Sequence, residues 1–432
     1  MRYYIQSNYR KIKQHQHYDK VLHWTKLISI TGAAQIIVQV TGLITGILII
    51  RLLPTKEYAY YTIANTMLST MTILADGGIS TGVMAEGGKV WNDKLKLGAV
   101  LNTGLFLRKK FAIYSLLVTL PILIFLLLKQ NAPLITVAFI ILAIIPAFLA
   151  ALSDSLLETI LKLHQAIKPL QRNQVVVSIF RLALSGIFAL IFPFTALVLL
   201  GNGIPRVLGN IRLKKIALNY TEGAVSKDLE VEKNILNIVK RTLPGAIYYC
   251  LSGQITIWLL TLFGTVNSIA SLGALTRLTV FLNMFTVLFS TIFIPRFAKL
   301  ENSYRVLMVA LMQFMFIVIL VCMAAITITW LADDSILCIL GPEYRNLNHE
   351  LLLSIIISCM NMISGLFFTL SSSKGWVINP ILLIGGNIFS IILGVMLFNV
   401  SNLYGILLFQ LFIAIAPILL NGGFCLKRIL DV

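Results

Sequence analysis

Residues 51–80 read RLLPTKEYAYYTIANTMLSTMTILADGGIS, and this stretch decides the fold. A turn holding Arg51, Pro54, Lys56 and Glu57 leads into an apolar run that closes on Asp76, Gly77 and Gly78. Within the run, Tyr61, Asn65, Ser69, Thr72 and Asp76 follow steps of four, four, three and four. On a helix these steps keep the five side chains on one face, drifting by only about 60°. A helix that is apolar all round except for one polar stripe is a membrane span whose stripe turns toward protein or water. Two readings of the stripe stay open: hydrogen bonding between helices, and the lining of a cavity. The glycine pair after Asp76 is a place where the helix can bend.

The rest of the chain agrees with that reading. Of 432 residues, 58% are hydrophobic and 12% charged, with a mean hydropathy of +0.89, which excludes an ordinary soluble domain. Apolar runs long enough for about 30 Å of hydrocarbon recur along the sequence. They predict twelve spans, at 27–50, 58–84, 111–128, 133–153, 174–192, 194–211, 243–263, 267–294, 307–332, 351–371, 376–398 and 404–425. The resulting fold class is an all-α polytopic membrane protein. Residues 1–26 form a polar N-terminal segment and carry no recognisable cleavable signal. A six-helix bundle over 27–211, a linker at 212–242, a second six-helix bundle over 243–426 and a short tail at 427–432 follow. An even number of spans in each half makes any internal repeat a parallel one.

The net charge of +18 is distributed rather than pooled. Outer loops keep only Arg51, Lys56, Lys129 and Arg345, and the spans hold Arg181, Arg206 and Arg277. All other Lys and Arg residues fall in the alternate connectors and termini. That alternation is the positive-inside pattern, so both termini are expected in the cytosol and no nucleic-acid partner is needed to explain the charge. The five cysteines are widely spaced and read as small core residues, and His15 and His17 lack the companions a metal site requires. No phosphate-binding GxxxxGK[ST] loop is present, and no cofactor is expected.

Ionisable groups inside spans are costly and usually serve a pathway. Arg277 lies about ten residues, roughly 15 Å, into the eighth span, too deep to reach an interface, and is read as a cavity-facing anion ligand. Arg181, in the fifth span, admits both that role and a structural ion pair. Arg206 is shallow enough to extend to the cytosolic interface. Asp76 is a candidate partner for an arginine or a proton acceptor. Asp154, Glu158 and Lys162 are spaced as a surface ladder of ion pairs. In the first span, Thr31, Gln35, Gln39, Gly42 and Gly46 form a second polar row, in which the two glycines suit either close helix packing or contact with substrate. Ser354, Ser358 and Asn361 share a face of the tenth span. The candidate substrate-binding set is therefore Arg277, Arg181, Asn65, Tyr61, Ser69, Thr72, Asp76, Gln35 and Gln39. Asp333 and Asp334 read as solvated turn residues, and no enzyme activity is expected.

These residues also carry a resemblance. RLLPTKEY at 51–58 followed by LADGGIS at 74–80, IPRFA at 294–298, LGPEYR at 340–345 and LYGI at 403–406 resemble, in order, the landmarks of Wzx-type polysaccharide flippases. These flippases belong to the multidrug/oligosaccharidyl-lipid/polysaccharide (MOP) superfamily, which also contains the multidrug and toxin exporters (MATE). Pro54 and Thr55 stand where that turn usually has Gly-Pro, and Ala59 where it ends in Gly. The resemblance implies two six-helix bundles forming a V, with spans 1, 2, 7 and 8 at lateral gates. It implies a polyprenyl-diphosphate-linked oligosaccharide as cargo, moved by alternating access across a bacterial inner membrane, with membrane lipids and polysaccharide polymerase machinery as partners. The diphosphate would lie near Arg277 and Arg181. The alternatives are a MATE-like drug or metabolite exporter and a membrane glycan polymerase. The first span has no acid of the kind exporters use for ion coupling, which favours the lipid-linked cargo.

Overall fold

The computed structural model describes residues 32–222, 227–292, 297, 300, 303–374, 376 and 378–431. All regular elements among them are helical. They are α1 (Gly32–Leu52), α2 (Thr55–Asp76), α3 (Ile79–Lys89), α4 (Lys94–Lys129), α5 (Leu134–Leu163), α6 (Ile167–Ile191) and α7 (Thr195–Ala217). There follow α8 (Leu229–Phe263), α9 (Val266–Ile292), α10 (Tyr304–Leu331), the short α11 (Asp333–Leu340), α12 (Asn348–Ser373), α13 (Pro380–Leu397) and α14 (Leu403–Leu430). Of these, α1, α4, α5, α6, α10, α12 and α14 are long and apolar enough to cross a membrane. The twelve expected spans fall on these seven, on α7, α8, α9 and α13, and on the α2–α3 pair. The protein is a multi-pass membrane protein, and large apolar side chains such as Leu117, Phe139, Phe316 and Met396 stand exposed on its outer faces.

Local chemistry sets the helix ends. Asp93 accepts hydrogen bonds from the amides of Leu95 and Lys96, Asp228 from those of Glu230 and Val231, and Asn402 from that of Gly405, so each caps the helix that follows. The N-terminus of α7 is capped from another helix: Glu57 of α2 accepts from the Thr195 amide at 2.8 Å and from its hydroxyl at 2.7 Å.

Three expectations change. The third span does not begin at 111; α4 starts at Lys94, so Arg108, Lys109 and Lys110 lie on a helix rather than in a loop. The second span does not run unbroken from 58 to 84. It breaks at Gly77 (φ 49°) and Gly78 (φ 99°), a left-handed pair that only glycine adopts cheaply, and a Cβ on Gly78 would also collide with the Thr242 hydroxyl. The 212–242 segment is not simply a linker, because α7 extends to Ala217 and α8 begins at Leu229. The first turns of α8 are folded into the first half, where Ile235 and Val239 pack with Ile79, Val83 and Leu97.

The helices form two six-helix bundles. In the first, α7 packs against α5 and α6, and α2 against α4; in the second, α12 packs against α14 and α10, and α13 against α14. Small residues set close approaches, as where Gly201 meets the Ser185 backbone and Gly209 meets Val177. The bundles meet along α2 and α9, where Gly273 faces Thr62. At the end away from the basic connectors, Arg51 donates to the carbonyls of Ile339 (2.7 Å) and Cys338 (2.6 Å), and Gln130 donates to that of Thr261 (2.7 Å). At the basic end the Thr242 hydroxyl donates to the Gly77 carbonyl at 3.2 Å.

Candidate functional site: a cationic cavity between α1 and α7

The first bundle encloses a cavity of about 670 Å³, lined from α1, α2, α5, α6 and α7 and reached from the other half by Arg277 of α9. Its walls are polar because helical stripes converge there. On α7, Asn202, Arg206 and Asn210 recur every four residues; on α5, Asp154 and Glu158 do the same; α6 contributes Gln174 and Arg181. Tyr61 and Asn65 come from the α2 stripe and Gln39 from α1.

Most of these groups are bound to one another. The Arg206 Nε donates to Asp154 Oδ2 at 2.8 Å, and Asn210 Nδ2 donates to Asp154 Oδ1 at 2.6 Å. Glu158 accepts from Lys162 and from Gln174, each at 3.0 Å. Asn202 donates to the Tyr61 hydroxyl at 3.1 Å and accepts from Ser185 at 3.1 Å. Both cavity carboxylates thus have a cation of their own.

Arg181 and Arg277 do not share in this neutralisation. Neither pairs with a carboxylate among the described residues. The Nε of Arg181 is buried without a hydrogen-bond partner among the described residues, and the side chain lies in the positive field of Arg277 and Arg206. Arg277 rests against the phenols of Tyr58 and Tyr61, whose rings stack with centroids 6.0 Å apart. Space for both guanidiniums comes from α1. A Cβ on Gly42 would sit 3.5 Å from Arg181 Nη2, and one on Gly46 would sit 3.1 Å from Arg277 Cδ. These two glycines are one helical turn apart, about 6 Å along the axis. The α1 glycines therefore seat two arginine side chains rather than a neighbouring helix backbone.

A second cavity, of about 380 Å³, adjoins the first and shares Asp154, Glu158 and Arg206 with it. Thr72, Asp76 and Arg108 line it. Arg108, only 3% exposed, forms an ion pair with Asp76 and donates to the Leu152 carbonyl at 2.7 Å. Asp76 also accepts from the Ser80 amide (3.1 Å) and hydroxyl (2.8 Å), which ties α2 to α3 across the glycine break.

Of the candidate set, Arg277, Arg181, Tyr61, Asn65 and Gln39 come together in the larger cavity, and Thr72 and Asp76 in the smaller. Ser69 is exposed on the same face of α2 and donates to the Asn65 carbonyl. Gln35 is engaged by α6, donating to Gln174 at 3.0 Å and Gln171 at 3.3 Å. Thr31, His15 and His17 lie outside the described residues. Two expectations are corrected. Arg206 is bound to Asp154 instead of extending to the interface, and Asp154 and Glu158 line cavities instead of forming a surface ladder; of that ladder only the Glu158–Lys162 rung is present. Asn202 and Asn210 share a four-residue polar stripe with Arg206, a signal that the sequence carries. Arg108, followed by Lys109 and Lys110, carries no sequence signal that separates it from a basic connector.

No protein-family model and no curated protein sequence matches the chain. Solved structures do. An inward-facing MATE-family multidrug transporter of the MOP superfamily aligns at a TM-score of 0.69 and 15% identity, over 91% of this chain and 94% of that one. The lipid II flippase MurJ, in an inward closed conformation, aligns at 0.71 and 12% identity, over 93% and 89%. A MOP superfamily transporter from Pyrococcus furiosus, described by the reversed polarity of its binding pocket, aligns at 0.66 and 13% identity, over 94% of each chain. The chain has the MATE/MOP transporter fold.

Proposed function

We propose that the protein is an alternating-access flippase of the Wzx type. It moves a lipid-diphosphate-linked oligosaccharide from the cytosolic to the outer leaflet of a bacterial plasma membrane, for surface polysaccharide synthesis. The observation that carries this reading is the pair Arg181 and Arg277: two guanidiniums in one cavity, without carboxylate partners among the described residues, seated on successive turns of α1. Such a pair suits two adjacent phosphate groups, because each guanidinium can present a planar fork to one phosphate. A cationic drug would meet an excess of positive charge there. Arg181 belongs to the first bundle and Arg277 to the second, so an anion held by both would link cargo binding to the relative position of the halves. The likeness in fold to a lipid II flippase supports the same reading.

In this reading the basic connectors and both termini face the cytosol, the lipid tail stays in the bilayer, and polysaccharide polymerase machinery receives the exported unit. Moving two negative charges outward across about 100 mV, inside negative, releases roughly 5 kcal/mol, which can drive the step without a nucleotide. Leaflet-specific labelling of lipid-linked sugars in a deletion strain tests it. Single units should accumulate on the cytosolic leaflet; accumulation on the outer leaflet would reject the flippase for a polymerase. An altered drug resistance with both pools normal would reject it for an exporter.

A further inference from the structure

The second bundle holds a cavity of its own, about 640 Å³, within the range of roughly 300–1,000 Å³ that ligand sites occupy. It is lined from α8, α12, α13 and α14, none of which lines the cationic cavity. Among the described residues its lining contains no charged side chain; the polar groups are amides and hydroxyls, and they stand beside aromatic and aliphatic ones. Asn421 is 6% exposed; its Nδ2 donates to Ser364 at 3.1 Å, while its Oδ1 is buried without a partner among the described residues. The Oδ1 of Asn387 likewise has no partner among the described residues, with the Tyr248 hydroxyl beside the same side chain. A buried amide oxygen left unsatisfied is costly, and a ligand hydroxyl would remove the cost. Phe368 adds an exposed aromatic surface. The remaining walls are held open by Gly253 and Gly365, where a Cβ would meet nothing within 4 Å.

Without a carboxylate the cavity has no counter-charge for a cation, and without Lys or Arg it has none for a second phosphate. Amide groups that both donate and accept, set beside aromatic faces, match the hydroxyls and C–H faces of sugar rings. We propose that this cavity is a carbohydrate subsite that takes uncharged sugar units of the cargo, while the diphosphate is held at Arg181 and Arg277. The inference rests on the flippase reading and adds to it a second binding locus and a preference for neutral sugars.

The test uses the full-length protein in lipid nanodiscs and three soluble short-chain probes. These are a polyprenyl diphosphate, the same lipid carrying a panel of neutral hexose or N-acetylhexosamine units, and the same lipid carrying a hexuronic acid. Wild-type protein should bind at least one neutral glycolipid about 10-fold more tightly than the bare diphosphate, a gain of about 1.4 kcal/mol, and show no gain with the uronate. Gly365→Leu and Gly253→Leu, which fill open space and raise helix propensity, should abolish the gain and leave bare-lipid affinity unchanged. Equal binding of bare and all glycosylated lipids, a gain with the uronate, or a gain that survives both leucine variants overturns the subsite and leaves the flippase standing. Failure of every probe to bind overturns both. Should a leucine variant not fold, Asn421→Ala replaces it, with the same loss of gain expected.

Discussion

Arg277→Gln should leave the stability of the empty protein nearly unchanged while weakening its hold on cargo, and that split separates a binding role from a structural one. Arg181 reaches the Gly42 position of α1 with its Nη2, and Arg277 lies against the Gly46 position with its Cδ, Cγ and Nε, one helical turn away. On the scale of about 6 Å set by those two seats, and at an effective dielectric of about 20, two like charges repel by about 3 kcal/mol. Glutamine removes that repulsion and the cost of desolvating the charge. It also forfeits the hydrogen bonds from the charged guanidinium to the Tyr58 and Tyr61 hydroxyls, worth at least about 1.5 kcal/mol each. The two effects offset one another, so the stability of the empty protein should change by no more than about 1 kcal/mol. A charge-assisted contact to phosphate contributes about 1.5–3 kcal/mol, so affinity for a polyprenyl diphosphate should fall roughly 10- to 100-fold. Thermal unfolding of purified protein, with and without the diphosphate lipid, reads both quantities: the variant should unfold at close to the wild-type temperature alone and lose most of the lipid-induced rise. Arg277→Lys should keep part of that rise, because the charge survives while the fork is lost. A variant that is less stable alone yet fully stabilised by the lipid would refute the reasoning and make Arg277 a packing residue.

Three further outcomes follow from other parts of the molecule. Cys338 is the one exposed cysteine of the five, next to the Arg51 latch, so an impermeant maleimide applied to intact cells should label the native protein and Cys338→Ser should abolish labelling. Asp76→Asn leaves the Arg108 charge buried without its counter-ion, and should cost about 3 kcal/mol of stability, the lower end for a buried pair because Asp76 keeps 25% exposure; adding Arg108→Met should recover much of the loss in a thermal melt. At the basic end, His164 stacks on Tyr220 at 4.6 Å with Trp91 edge-on, and burial together with the Lys94 charge holds its imidazole below the usual value. Its contribution is therefore present above about pH 6.5 and lost as the pH falls through the depressed value, so acidification should perturb Trp91 emission in the wild type but not in His164→Gln.

What the sequence could disclose and what it could not divide along a physical line. Helices, spans and polar stripes are periodic, so the face carrying Tyr61, Asn65, Thr72 and Asp76 was legible, as were the cavity-facing side chain of Arg277 and the bend at Gly77 and Gly78. Which arginine is neutralised is not periodic. Asp76 meets Arg108 across 32 residues, and Asp154 meets Arg206 across 52. Only packing tells these two matched cations from Arg181 and Arg277, which look no different in a string of letters. The same holds for the glycines of α1: a GxxxG spacing announces close approach, but whether a backbone or a guanidinium approaches depends on the neighbouring helices. In the function proposed above, recognition rests less on having arginines inside the membrane than on leaving two of them without a carboxylate among the described residues. Installing a carboxylate within reach of the pair, as in Gly42→Glu, should cancel the site more completely than deleting either arginine. The glutamate would supply the counter-charge that the cavity otherwise leaves for its cargo, at the price of crowding Arg181. Gly42→Gln is the control for that crowding. If the glutamine variant loses diphosphate-lipid binding as fully as the glutamate variant, volume and not charge governs the site, and the electrostatic account of cargo recognition fails.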